Sequence, residues 1–176
     1  MSHQLIVLRH AKSAWPEGVP DLERPLAERG RRDAPRMGGW LRDAGLRPEL
    51  VLCSPARRTR ETWALAAAAL PPGEGTPTPI VAIEPRLYAA DVEELLEVLR
   101  EVPAEVTTVL VVAHFPGVQG LVLELVGHHD GPDLDRLGEK FPTAGLAVVK
   151  VTSGWAALRR DAGTLTAFVV PRELSE

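Results

Sequence analysis

The sequence predicts an α/β fold of three layers, with a mostly parallel sheet between two layers of helices. Two observations carry that expectation. Several apolar runs are continuous rather than alternating, as in strands covered on both faces. Segments with helical spacing lie between these runs, and strand alternating with helix is how crossovers build a parallel sheet.

In chain order, Leu5–Leu8, Glu49–Cys53 and Thr107–Ala113 read as buried strands, with Pro79–Ile83 a fourth. Leu146–Val151 and Thr164–Val170 add two in the tail. Ala34, Met37, Leu41 and Ala44 recur at helical spacing, and Gly45 is the expected stop. Pro35 should kink that helix or stand near its start. Ser54-Pro55 is expected to open the next helix as N-cap and first residue. Thr59, Trp63, Ala66, Ala67 and Leu70 then form its apolar face. Asp91 with Glu94 is a capping box for a helix through Arg100, buried through Val92, Leu95, Leu96 and Leu99. Val118, Leu121, Val122 and Leu125 mark another.

The 176 residues, 45% apolar and 25% charged, suit one domain over residues 1–176. The densest Pro/Gly cluster, residues 71–77, is a loop too short to separate domains. Twenty Lys and Arg face 24 Asp and Glu, a net charge of −4. That balance excludes a generally basic nucleic-acid binder and leaves room for a local basic pocket. The lone Cys53 excludes an internal disulfide framework and any multi-cysteine zinc site. Only four apolar residues, Leu5–Leu8, stand between Gln4 and Arg9, too few for a signal-peptide core. The longest apolar run, Trp63 to Pro72, is far short of the roughly 20 residues a spanning helix needs. A cytoplasmic protein with no membrane or nucleic-acid partner is expected.

The chemistry gathers where strands end. One strand runs into Arg9-His10 and another into His114. Ligands of open parallel sheets bind beyond the carboxyl ends of the strands, so both histidines should stand at one edge. A third strand runs into Ser54-Pro55 and a helix start bearing Arg57, Arg58 and Arg60, which adds guanidinium groups and a positive helix end. Alone, each piece has a plainer explanation, a satisfied structural histidine or a solvated arginine face. Together they make a site for a dianionic phosphoryl group, whose oxygens the planar arginine fork binds in pairs. The pattern does not separate Arg58 from Arg57 or Arg60.

Leu8-Arg9-His10-Ala11-Lys12-Ser13 resembles the nucleophile motif of the histidine phosphatase superfamily, which includes the phosphoglycerate mutases. Its Ala-Lys-Ser variant resembles the small bacterial phosphohistidine phosphatases of the SixA type. Residues 21–30 are similar to the segment that follows in that group. Residues 54–62 resemble its second arginine motif, in which the arginine four before the threonine, here Arg58, binds phosphate. Residues 111–117 resemble its second histidine motif, and the match runs in order from Leu5 to about Gly145.

The resemblance implies a phosphoglycerate mutase-like sandwich and a metal-independent phosphatase without a cofactor. His10 would be the nucleophile and carry a phosphohistidine intermediate. Arg9, Arg58 and His114 would bind the phosphoryl oxygens and offset charge in the transition state. Lys12 and Ser13 are further candidate phosphate contacts, with a capping role for Ser13 as the alternative. An imidazole attacks only through an unprotonated nitrogen, so the other nitrogen of His10 should be held by a backbone acceptor.

Two departures bear on substrate. Longer relatives place a general-acid Glu in mid-chain, where this sequence reads Leu87-Tyr88-Ala89-Ala90-Asp91, and Asp91 is better explained as a helix cap. An imidazole leaving from a phosphoramidate needs less proton help than an alkoxide. Phe115 stands where many relatives have a small or polar residue, and the long segments that cap larger relatives' pockets are lacking. The missing acid favours phosphohistidine or another activated phosphate over mutase chemistry, Phe115 is expected to narrow the pocket mouth, and the uncapped site suits a phosphohistidine protein as partner. A small phosphorylated substrate, nucleotide or sugar phosphate, is the alternative. A non-catalytic phosphate-binding module is a third reading, which a histidine nucleophile disfavours.

Three decoys are set aside. Cys53 lacks the arginine six positions on that cysteine phosphatases need; Thr59 stands there. His128-His129-Asp130 lies in a polar loop with Gly127, Gly131 and Pro132 and is expected to be solvent-facing rather than a metal site. Trp15 and Trp40 are expected to be packing residues, although Trp15 is near enough to His10 in sequence to line the pocket.

Overall fold

The computed structural model describes residues 2–127 and 131–174. It contains a six-stranded sheet in the order β3-β2-β4-β1-β5-β6. The strands are β1 (His3–Arg9), β2 (Leu50–Cys53), β3 (Ile80–Ile83), β4 (Thr108–Ala113), β5 (Leu146–Val151) and β6 (Gly163–Val169). All six expected strands form, shifted by at most two residues at an end. The pairs β1–β4, β4–β2 and β2–β3 are parallel, whereas β5 is antiparallel to both β1 and β6. The tail therefore returns as a hairpin on an otherwise parallel sheet.

The continuous apolar runs divide by the period of two. Leu5, Val7, Val109 and Val111 pack on one face with α3 (Val92–Arg100) and α4 (Gly117–Val126). Ile6, Leu8, Leu110 and Val112 pack on the other with α1 (Glu28–Asp43) and α2 (Arg57–Ala68). These are the three expected layers. A fifth helix, α5 (Pro132–Glu139), buries Leu137 against the α3–α4 side. The sequence pattern assigns no element to residues 133–139, because one fully buried apolar position in the helix leaves no periodic stripe.

Local chemistry settles the helix ends. Helix α1 stops as expected: Gly45 takes φ +72°, its N–H bonds the Arg42 carbonyl at 3.1 Å, and the Leu46 N–H bonds the Leu41 carbonyl at 2.9 Å. Those two bonds are a Schellman closure. Pro35, however, lies inside α1, seven residues past its start. Asp91 caps α3 by accepting the Glu94 N–H at 2.9 Å. Ser54-Pro55 does not open α2. The helix starts at Arg57 with Ala56 as N-cap and no side-chain cap, and the Ser54 hydroxyl is engaged elsewhere. Two glycines set how closely α1 approaches its neighbours. A Cβ at Gly30 would fall 2.2 Å from the Lys12 carbonyl oxygen, and one at Gly38 2.0 Å from that of Ala66. Among the described residues no helix is long and apolar enough to cross a membrane.

Candidate active site

The carboxyl ends of β1, β4 and β2 adjoin in the sheet, and each delivers a chemically active group. Strand β1 ends at Arg9 and passes directly into His10; β4 ends at Ala113 and passes into His114. The His10 N–H bonds the Ala113 carbonyl at 3.1 Å, which ties the two strand ends together. The imidazole rings stand 5.4 Å apart between centroids. Beyond β2, Arg58 projects from the first turn of α2 into the same space. Thr62 fixes that helix: its hydroxyl donates to the Arg58 carbonyl at 2.6 Å and accepts the Ala11 N–H at 2.9 Å.

His10 is buried, and its Nδ1 lies 2.8 Å from the Ala11 carbonyl oxygen. A carbonyl only accepts, so Nδ1 carries the proton and Nε2 keeps a free lone pair. Burial, reinforced by the charges of Arg58 and Arg9, pushes the His10 pKa down to about 3, so the neutral form persists well below pH 7. His114 is set the other way. Its Nδ1 is 3.4 Å from an Arg58 guanidinium nitrogen, which can only donate, so the proton sits on Nε2. From there it is donated to the Ser54 hydroxyl at 2.7 Å. This is where the supposed capping serine is engaged. Burial and the nearby arginines bring the His114 pKa down to about 4.

The arginines separate cleanly. Arg58 is buried, and its guanidinium bonds the Asp21 carbonyl oxygen at 2.7 Å and the Asp21 carboxylate at 3.1 Å. Arg57 points away and pairs with Glu61 at 3.5 Å, and Arg60 is exposed, bonding the Pro55 carbonyl. Arg9 donates to the Phe141 carbonyl at 2.8 Å, stacks 5.0 Å from the Phe115 ring centroid, and keeps a buried Nε without a hydrogen-bond partner among the described residues.

An open cleft of about 340 Å³ joins these groups, lined also by Lys12, Ser13, Trp15, Asp21, Arg24 and Tyr88. The structure thus brings His10, Arg9, Arg58, His114 and Ser13 to one place. The Ser13 hydroxyl accepts from Arg24 at 2.5 Å rather than capping a helix. Trp15, expected to pack, is 75% exposed at the rim with the Arg24 guanidinium 3.2 Å over its ring. Trp40 does pack, against the α1–α2 side of the core.

Sequence reasoning missed the brace around these groups. Asp21 sits between Arg24 and Arg58 and also accepts from the Tyr88 hydroxyl. The Tyr88 bond and the two arginines hold its carboxyl well below the usual range. Asp21 and Arg24 lie three apart across a single short turn, a spacing that carries no periodic signal, and only their contacts in the fold reveal them. Cys53 is buried, with burial pushing its thiol up to about 11, which fits the small strand-end residue expected. His128, His129 and Asp130 lie outside the described residues.

Comparison with known proteins agrees with this geometry. Residues 5–81 match the model of the histidine phosphatase superfamily (branch 1). An uncharacterised protein of Mycobacterium tuberculosis is 41% identical over 167 residues, spanning 94% of this chain and all of the relative. A structure assigned as the phosphohistidine phosphatase SixA of Nakamurella multipartitia superposes with a TM-score of 0.82 at 32% identity, covering 97% of both chains. The protein histidine phosphatase SixA complexed with tungstate gives 0.77 at 26% identity, over 97% of this chain and 98% of that one. With such full-length likeness, the chain belongs to the histidine phosphatase superfamily, among its SixA-type phosphatases.

Proposed function

We propose that this phosphatase works through His10 as a covalent nucleophile and that its substrate is a protein phosphohistidine. The observation that carries the reading is the fixed tautomer of His10: a neutral ring, its proton spent on the Ala11 carbonyl, and its Nε2 lone pair left for phosphorus. Nε2 attacks in line, the bond from phosphorus to the leaving group breaks, and the leaving atom keeps the electron pair. Water then attacks the phosphohistidine, the N–P bond breaks, and neutral His10 and inorganic phosphate are released. Arg9 and Arg58 are fixed cations for the phosphoryl oxygens, as electrostatic stabilisation requires. His114 completes the set; a phosphoryl dianion beside it favours uptake of a proton at Nδ1, which turns that nitrogen from acceptor to donor.

The choice of phosphohistidine rests on the leaving group. Asp21 is the one carboxylate lining the cleft among the described residues, and it is held ionised by Tyr88, Arg24 and Arg58, so it is not a proton donor. Asp91 caps α3, and Glu84 is taken up by Arg86. A protonated imidazole departs without such a donor. The relatives named as protein histidine phosphatases are consistent with this choice.

Rapid quenching with labelled phosphohistidine protein tests the reading. The wild type should trap acid-labile, base-stable phosphate and His10→Ala none. Equal labelling of both would remove His10 from the role.

A further inference from the structure

We propose that a second, larger cleft beside the catalytic one docks an acidic segment of the protein that carries the phosphoryl group. The inference rests on the phosphoprotein reading above and adds where that protein is held. The cleft encloses about 600 Å³, against about 340 Å³ at the catalytic site. Thr143 lines both. Two residues earlier, the Phe141 carbonyl holds the Arg9 guanidinium, so the segment between the clefts is also part of the catalytic scaffold.

Charge identifies the occupant. The walls carry Arg29, Arg32 and Arg36 from α1, Arg136 and Lys140 from the end of α5, and Arg172 after β6, against Asp33 and Glu139. That is a local cationic excess on a chain whose net charge is −4. Most of the cations are already steered by carboxylates. Asp33, buried, lies 3.4 Å from Arg29 and 3.6 Å from Arg36; Glu28 lies 3.5 Å from Arg32; Asp133 and Glu173 hold Arg136. The Arg32–Glu28 pair, long and exposed on both sides, is weak and exchanges readily for a ligand's carboxylates. Lys140 and Arg172 have no carboxylate partner among the described residues.

Shape separates a peptide from a small ion. Arg29 and Arg36 are seven residues apart on one helix, roughly 10 Å along its axis, which is more than one phosphate bridges. The floor is apolar, made by Phe168, Val170, Pro171 and Pro142, and the Arg136 guanidinium lies 5.2 Å from the Phe168 ring centroid. A charged rim over an apolar floor fits a chain with carboxylates at its edges and aliphatic stems beneath. An adjoining electrostatic groove would orient a protein substrate over the catalytic cleft.

The test uses the full chain, the double variant Lys140→Glu/Arg172→Glu, and a fluorescein-labelled peptide of Glu, Asp and Ala with a Gln/Asn counterpart. Anisotropy should show the acidic peptide binding more tightly than its counterpart, weakening with salt, and about tenfold or more weaker on the variant. On phosphohistidine peptides, an acidic flank should raise kcat/KM through KM in the wild type and not in the variant. Turnover of a small phosphoramidate should be unchanged between the two, which also shows that the variant folds. Equal binding of both peptides, or equal binding by both proteins, overturns the proposal. Inorganic triphosphate binding that is lost in the variant, with no peptide binding, overturns it in favour of a small polyanion. Acidic-peptide binding lost in the variant, with no turnover of any phosphohistidine substrate, supports the cleft and fails the substrate reading instead.

Discussion

Acidification isolates the two histidines from the rest of the protein. In the folded state His10 titrates at about 3 and His114 at about 4, while both titrate near 6.5 in the unfolded chain. Between those limits the unfolded chain binds two protons that the folded one does not, so stability falls as pH falls. The contribution is fully present above the unfolded value and is lost progressively below it. A full proton difference is worth about 1.4 kcal/mol per pH unit. From about pH 6 to pH 5 the unfolded histidines go from mostly to almost wholly protonated, so the pair should cost about 2 kcal/mol over that step. Asp21, whose folded pKa is depressed, also loses its contribution on acidification, but only as pH enters the carboxylate range below this window. Urea unfolding at fixed pH values measures the loss directly, and His10→Asn should remove about half of it, near 1 kcal/mol. A stability flat across that step, or the full loss retained in His10→Asn, would refute the neutral buried pair and with it the argument for a ready nucleophile.

Other outcomes follow from the same geometry. Arg58→Ala should lower kcat about 10²-fold or more, while Arg57→Ala, whose guanidinium only meets Glu61 at the surface, should stay near wild type; kinetics with an aryl phosphate decide it. Ser54→Ala leaves the partly buried Nε2–H of His114 without its acceptor, which should destabilise by about 1 kcal/mol in urea unfolding. With cationic charge already supplied by Arg9 and Arg58, activity should survive excess chelator, and loss with rescue by a divalent ion would bring His128 and His129 back into question. Across aryl phosphates, kcat/KM should fall steeply as the leaving-group pKa rises. A flat dependence with chemistry rate-limiting would reveal a proton donor in the cleft.

The fold and the gathering of Arg9, His10 and His114 at one sheet edge were legible because both are written locally. The runs Leu5–Leu8 and Val109–Ala113 are buried on both faces, so every residue in them is apolar, and the His just beyond each is brought to the sheet edge. What stayed hidden depends on contacts distant in sequence. Ser54 reads as a cap because Ser-Pro usually is one; only the approach of His114, sixty residues on, gives its hydroxyl a better use. Asp21 meets Tyr88 across sixty-seven residues, and nothing in either neighbourhood announces it. Arg58 could not be told from Arg57 and Arg60 until α2 was placed, because all three have the same chemistry and only the helix's rotation buries one of them.

The brace around Asp21 resolves a tension in the cleft. Arg9, Lys12, Arg24 and Arg58 all line it, and unopposed cations would repel one another and drift apart on long flexible stems. Asp21 counters that by bonding Arg24 and Arg58 at once, and Tyr88 holds the carboxylate in place. One anion therefore aims two cations without cancelling the set. The same positive field disfavours a proton on His10, so in the proposed mechanism the charge that would bind the phosphoryl group would also keep Nε2 free. Removing Asp21 should then do two opposite things: lower the His114 pKa further, by withdrawing its one stabilising anion, and loosen Arg58. Asp21→Asn separates them, since an amide oxygen still accepts from arginine but carries no charge. If Asp21→Asn lowers the His114 pKa by NMR titration while kcat on an activated phosphate drops less than in Asp21→Ala, position and charge are distinct contributions. Identical losses in the two variants, with His114 unmoved, would reduce Asp21 to a spacer.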